Sequence, residues 1–263
     1  MTMDTFDVRD RVIAITGGLG QLGQQFAQEL EQRGAKIALL DAAAREEQRG
    51  DRRWVIPCDI TKPASLESAL HTLAAGWEVP HGLVNNAALD SPPNAPADEN
   101  AAFEQYSLDT WKKVVDVNLT GTFLACQVIG GAMAKAGRGS IINISSIYGI
   151  LSPDQRIYDY RKDDGSPFCK PVSYSATKAA VINLSRYLAT YWAKQGVRVN
   201  TLTLGGVFNN QDPRFMSGYT ARVPLERMAR SNEYNGAIVF LLSNASSYMT
   251  GSNMVIDGGW SAW

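Results

Sequence analysis

The chain has 263 residues, 45% of them hydrophobic and 19% charged, and its 25 Lys and Arg against 26 Asp and Glu leave a net charge of -1. A chain of this size buries a full core, and its balanced charge offers no basic field for phosphate backbones or an anionic membrane, which argues against nucleic-acid and membrane partners. Three scattered cysteines, Cys58, Cys126 and Cys169, and two histidines, His71 and His81, supply neither a disulfide framework nor a Cys/His metal site.

The opening residues Met1 to Asp7 are acidic and lack the basic-then-apolar layout of a secretory signal, so a cytoplasmic location is expected. Continuous apolar runs then recur at Val12–Ile15, Lys36–Leu40, Trp54–Ile56, Leu83–Val84, Ile141–Ile144, Val197–Leu202 and Met254–Ile256. Such runs read as parallel strands covered on both faces, and helical spacing between them, as in Phe26 and Leu30 or Leu66, Leu70 and Leu73, supplies the covering helices. The expectation is one α/β domain over residues 1–263, a doubly wound parallel sheet of about seven strands with helices on both faces. Polar segments at Ala44–Arg53, Asp90–Gln105 and Leu151–Pro171 read as its loops. The charge-free stretch Val117–Ala134 carries Asn118, Thr120, Thr122, Gln127 and three glycines, which fits a helix buried in protein better than a bilayer span.

The first strand runs into Thr16-Gly17-Gly18-Leu19-Gly20-Gln21-Leu22-Gly23, followed by a helix expected over Gln24–Arg33 and closed by Gly34. Glycines there allow a tight turn and bring the backbone N–H groups of a helix N-terminus close to a diphosphate. The second strand ends in Asp41, 18 positions after Gly23 and close to the ~20 expected for a carboxylate that takes ribose hydroxyls. Asp41 would repel a 2′-phosphate, and neither Leu19 nor Gln21 offers a cation to hold one. NAD is therefore expected over NADP, with nearby Arg45 as the residue that could compensate.

Further pieces follow in order: Asp59-Ile60, Asn85-Asn86-Ala87-Ala88, Asn118, Ser145-Ser146, Tyr174-Ser175-Ala176-Thr177-Lys178, Arg198-Val199-Asn200 and Ile256-Asp257-Gly258-Gly259. With the glycine turn, this succession resembles the short-chain dehydrogenase/reductase family, non-extended branch, from Val12 to Gly259. The resemblance implies a Rossmann-type fold and an oxidoreductase that interconverts alcohol and ketone with a nicotinamide dinucleotide. It also implies a catalytic set of Asn118, Ser146, Tyr174 and Lys178. Tyr174 and Lys178 are i and i+4, so on a helix they share a face, and the ammonium favours the phenolate that a base needs. Ser146 matches the hydroxyl that polarises the substrate oxygen, and Asn118 a water relay to Lys178. Gly17, Leu19, Gly20, Gln21, Leu22, Gly23, Asp41, Asp59, Ile60, Asn85, Ala87, Ala88, Tyr174, Lys178 and Val207 match cofactor positions, with Asn86 read as a stabiliser of the central sheet. Ser146, Tyr148 and Tyr174 are the substrate-side candidates.

Three departures bear on substrate. Gln21 stands where the family has a small residue, and Leu204-Gly205 and Asn209 replace the usual Pro-Gly and Thr. Ser146 and Tyr174 are 28 positions apart, about twice the family's usual separation, which places an insertion at about 150–172 beside the catalytic pair. Its Asp154, Gln155, Arg156, Tyr158, Asp159, Tyr160, Arg161, Lys162, Asp163 and Asp164 suit a hydroxylated or anionic ligand, although a solvated loop has the same composition. The form Ser-Ser-Ile-Tyr-Gly and the run Gly205 to Gln211 are similar to flagellin-modification and surface-sugar oxidoreductases, which makes an amino sugar or related carbohydrate derivative the leading substrate class. Two rival readings are an NADPH-dependent 3-oxoacyl carrier-protein reductase and a catalytically inactive dinucleotide-binding sensor. Apolar residues on the helices of Asn118 and Tyr174, among them Phe123, Val128, Ile182, Tyr187 and Tyr191, imply a homodimer or homotetramer, with Trp260 and Trp263 docking at the same face.

Overall fold

The computed structural model describes residues 4–90, 100–163, 165 and 168–263. Asp164 of the insertion, and residues 91–99 of the polar segment after the fourth expected strand, lie outside them. Eight strands form one sheet: β1 (Val12–Thr16), β2 (Lys36–Asp41), β3 (Gln48–Arg49), β4 (Arg53–Pro57), β5 (Gly82–Asn85), β6 (Gly139–Ser146), β7 (Val197–Leu204) and β8 (Asn253–Ile256). Their spatial order is β3-β4-β2-β1-β5-β6-β7-β8, parallel throughout except for β3 against β4. The seven expected strands are all present. The eighth, β3, falls inside the expected loop Ala44–Arg53; it is a two-residue edge, too short for any periodicity to announce. Arg49 lies over the Trp54 ring at 4.2 Å, and the indole donates to Glu47 at 2.9 Å.

Helices cover both faces. On one, α2 (Pro63–Gly76), α3 (Leu108–Lys135) and α4 (Val172–Trp192) bury Leu66 and Leu73, Ile129 and Met133, and Leu188 and Trp192 against the sheet. On the other, α1 (Gln21–Gln32) and α6 (Asn235–Leu242) bury Phe26 and Leu30, and Ile238 and Leu242. Full burial of a side chain such as Phe26 is worth about 1.5–3 kcal/mol. Helix α1 starts at Gln21, three residues before the expected start, which puts Gly23 inside its first turn. Helix α3 contains the charge-free stretch and is long and apolar enough to cross a membrane by length and composition; here it is a core helix of this layer.

The chain winds from β1 to β2 and β4 in one direction and from β5 to β8 in the other. The crevice between the C-terminal ends of β1 and β5 is therefore the topological switch point, where open α/β sheets bind ligands. Beneath it runs a buried polar chain across the sheet. Asn85 donates to Asn143 Oδ1 at 2.7 Å, and Asn143 donates to Ser185 at 2.9 Å, tying β5, β6 and α4 together.

Candidate active site

The glycine turn links the end of β1 to α1. Gly17 has a left-handed φ of 61°, and a Cβ there would stand 2.7 Å from the Ala87 Cα. Gly23 lets α1 sit down on the turn, since a Cβ would come within 2.6 Å of the Gly17 carbonyl oxygen. Gly20 caps α1 with no side-chain hydrogen bond, leaving the first-turn amides to a ligand. Asp41, at the end of β2, reaches across: Oδ2 accepts from Leu19 N and Oδ1 from Ala43 N, both at 2.9 Å. A glycine in the left-handed region, a cradle that a Cβ would fill, open helix amides and a carboxylate at the neighbouring strand end fit a dinucleotide.

The Asn85-Asn86 pair is placed the other way round from the expectation. Asn85 points into the buried polar chain, whereas Asn86 donates to the carbonyls of Thr16 and Gly17 at 3.2 and 3.0 Å and lines the pocket. Adjacent residues on a strand face opposite sides, so the order of two identical residues hides which one faces the crevice. Asp59 spends its carboxylate on the Thr61 hydroxyl at 2.6 Å and on Lys62 at 2.9 Å, which holds it below the usual carboxylate range. Ile60 is buried against Gly121 of α3.

The β6 end delivers Ser145 and Ser146, and the first turns of α4 deliver Tyr174 and Lys178. Ser145 is structural, donating to the Lys178 carbonyl at 2.8 Å. The Ser146 hydroxyl stands beside the Tyr174 phenol and favours its ionised form, and it accepts from Tyr148 N at 3.2 Å. Lys178 Nζ donates to the Ile144 carbonyl at 2.8 Å and lies 5.7 Å from the Tyr174 ring. Burial pushes the phenol far above its ordinary value, helped by the Asp90 charge and opposed by the neighbouring Ser146 hydroxyl. Burial also lowers Lys178 to about 8, with Asp90 opposing. The expected easing of the phenol by its cation is thus outweighed by the cost of desolvating either charge. Asn118 sits in a π-helical turn of α3; its amide accepts from Leu89 N at 2.7 Å and donates to Leu89 O and the Thr177 hydroxyl. Its side chain is therefore committed to holding the β5 exit and the residue before Lys178.

A cavity of about 770 Å³ opens above these groups, touching Gln21, Leu22, Ala88, Ser146, Tyr174 and Val207. The insertion forms one wall: Gln155, Arg156, Asp159 and Lys162 stay exposed, while its apolar residues are packed. Ile157, Tyr158 and Phe168 join Tyr148, Phe215, Tyr219 and Trp260 in a separate hydrophobic cluster. Tyr158 lies 4.6 Å from Phe168 and 5.5 Å from Phe215 on α5 (Pro213–Thr220). Asp154 accepts from Arg222 at 2.7 Å, pinning the insertion to the segment after α5. Trp260 packs on Tyr219 at 4.5 Å in this cluster, not at the α3/α4 face where it was expected, and Trp263 is exposed. Pocket residues that the motifs do not reveal include Asp90, Lys170, Asn210, Phe215 and Met228. Their sequence signal is position alone: Asp90 just beyond the Asn85–Ala88 segment, Lys170 in the insertion, Asn210 in the run Gly205 to Gln211, and Phe215 and Met228 further along after β7.

A family model described as enoyl-(acyl carrier protein) reductase matches residues 19–261. The chain belongs to the short-chain dehydrogenase/reductase family. This short-chain dehydrogenase/reductase is 32% identical to the D-threitol dehydrogenase of Mycolicibacterium smegmatis, over 97% of this chain and 95% of the relative. A crystal structure of a Leptospira borgpetersenii short chain dehydrogenase with bound NAD+ superposes with a TM-score of 0.87 at 32% identity, covering 99% of this chain and 97% of that one. A gluconate 5-dehydrogenase from Burkholderia cenocepacia, in complex with NADP and tartrate, gives a TM-score of 0.82 at 26% identity, covering 99% and 98%. The short-chain dehydrogenase/reductase described here is an NAD(P)-dependent oxidoreductase acting on CH–OH and C=O groups.

Proposed function

We propose that the enzyme interconverts a secondary alcohol and a ketone on a small, polar, sugar-like substrate, with NAD preferred over NADP and Tyr174 as the acid/base. The observation that carries the reading is the meeting of Ser146, Tyr174 and Lys178 at one end of a pocket whose other walls include Asn209, Asn210, Gln211 and Arg161. When bound, the nicotinamide supplies the hydride acceptor or donor. The glycine turn from Gly17 to Gly23 and the open amides of α1 would hold the diphosphate, and Asp41 the ribose. Asp59, Ile60, Ala87, Ala88, Asn86 and Val207 would line the remainder. Ser146 orients the substrate oxygen, Tyr174 exchanges the proton with it, and Lys178 keeps positive charge beside the phenol. Asn118 acts behind them, through Thr177 and the Leu89 backbone, where a water relay from Lys178 to solvent would run.

The named substrates of the D-threitol and gluconate relatives are polyhydroxylated, which supports a polar substrate over an acyl chain. The resemblance to surface-sugar oxidoreductases points the same way. Asp41 supports NAD, because a 2′-phosphate would meet a carboxylate there. Replacing Asp41 by Ala is expected to weaken NADH binding, read by quenching of the six tryptophans, and to shrink the NADH-over-NADPH preference about tenfold or more. An unchanged preference would assign cofactor choice to other residues. Oxidation of D-threitol, D-arabitol, D-sorbitol and D-gluconate with NAD tests the substrate class, and inertness to all four counts against it.

The same reading includes self-association through α3 and α4. Phe123, Tyr187 and Tyr191 stand exposed there, with the two tyrosine rings stacked at 5.9 Å. Light scattering is expected to give at least twice the 28.7 kDa chain mass, and Tyr187→Asp with Tyr191→Asp to shift it toward one chain. A wild-type monomer at micromolar concentration would remove this part of the reading.

A further inference from the structure

A second lysine stands against the Tyr174 ring, and the insertion supplies it. Lys170 Nζ lies 4.8 Å from the centroid of Tyr174, nearer than the 5.7 Å of Lys178, and 5.9 Å from that of Tyr148. Its side chain is 6% exposed, an uncommon setting for a lysine, and it pairs with Asp90, whose side chain is 49% exposed. The insertion is built to hold it there. The Gln155 amide clamps the Lys170 backbone from both sides, accepting from Lys170 N at 2.8 Å and donating to Lys170 O at 3.2 Å. Asp154, next in sequence, anchors that strap to Arg222.

We propose that Lys170 is a positioning residue for the Tyr174 phenol: with Asp90 it forms a charge pair that, beside Lys178, sets the pH at which the phenol takes a proton from substrate. The inference rests on the acid/base reading of Tyr174 given above. Among the described residues, the groups facing that ring are Lys178 from its own helix, Ser146 and Tyr148 from the end of β6, Asp90 from the β5 exit, and Lys170 from the insertion. Of these, Asp90 carries the negative charge, and it disfavours the phenolate. Lys170 opposes Asp90 in two ways, by neutralising it at contact and by placing a positive charge on the ring face. The short form of the family, whose serine and tyrosine stand about half as far apart in sequence, has less chain in which to place such a residue. The insertion would thus tune the proton transfer as well as wall the pocket.

The test is the pH profile of kcat/KM for NAD-linked oxidation of whichever polyol the panel turns over best. In this direction the rate rises with pH as the base loses its proton. Removing the positive charge with Lys170→Met is expected to move the rising limb toward alkaline pH by about 1–2 units, lowering the rate at pH 7 by about 10–100-fold. Removing the negative charge with Asp90→Asn moves the limb the other way, the double variant returns it toward wild type, and Lys170→Arg preserves it. Asp90 is partly exposed, so Asp90→Asn reads the effect even where Lys170→Met fails to fold. Midpoints that stay at the wild-type value in both single variants, or that move in the same direction, overturn the inference. An inactive Tyr174→Phe with unmoved midpoints overturns this inference alone. An active Tyr174→Phe, or a wild-type enzyme inert to the whole panel, overturns the reading on which it rests.

Discussion

Replacing Tyr174 by Phe is expected to lower turnover by about 100- to 10,000-fold in either direction while leaving NADH affinity and thermal stability near wild type. The change removes one oxygen from a partly buried ring, and the neighbouring Ser146 keeps its bond to Tyr148 N at 3.2 Å. Packing survives and the proton path does not. A neutral phenol held far above its ordinary value is suited to donating a proton to a carbonyl oxygen. In the reverse direction it must lose that proton to solvent before taking one from the alcohol. The sign of the pH dependence follows: with the phenol raised by burial and by Asp90, wild-type oxidation climbs as pH rises, and reduction holds its rate until higher pH. Stopped-flow measurement of nicotinamide absorbance across pH separates these limbs. Substantial activity in Tyr174→Phe would transfer the proton role, with Tyr148 next in line. That phenol is pushed up to about 12 by burial and hydrogen-bonds the Tyr158 hydroxyl.

The parts of this site legible in the sequence are those that backbone geometry forces. Seven buried runs gave seven strands because parallel strands covered on both faces must be continuously apolar. The i, i+4 spacing of Tyr174 and Lys178 put both on one face of α4 because a helix allows nothing else. What the sequence concealed depends on tertiary choices. Asn85 and Asn86 are identical residues on opposite faces of one strand exit, and only the sheet decides which meets Asn143 and which meets Gly17. The insertion has the composition of a solvated loop, yet Tyr158 and Phe168 close a small core with Phe215 and Trp260, partners about 50 and 100 positions away. Lys170 is one basic residue among several in that stretch. Its meeting with Asp90, 80 positions earlier, exists only once the β5 exit and the insertion face each other across the pocket.

The largest effect expected away from the proton chemistry comes from Gly17→Ala. At φ 61° an L side chain costs roughly 1–2 kcal/mol, and the added Cβ would sit 2.7 Å from Ala87 Cα and 3.0 Å from Ala87 N. These are backbone atoms at the exit of β5, held by Thr16 Oγ1, which accepts from Asn86 N and Ala87 N at 3.1 and 3.2 Å. Relief therefore requires the turn to lift away from β5, opening the switch-point crevice where the diphosphate would lie. The expected result is a loss of NADH affinity of about 10–100-fold, roughly 1.4–2.7 kcal/mol, with a fall in Tm of a few degrees. Gly20→Ala is the control within the same turn. Gly20 has an ordinary extended backbone, and the nearest atom to its Cβ is the Gly17 carbonyl oxygen at 3.3 Å, so a methyl group there needs only a slight shift. Fluorescence titration of both variants separates the two accounts of the motif. If any glycine in the turn serves merely to keep the loop supple, both lose affinity together. If the turn is a fixed cradle whose shape is set by Gly17 against Ala87, Gly17→Ala fails while Gly20→Ala binds almost as the wild type does.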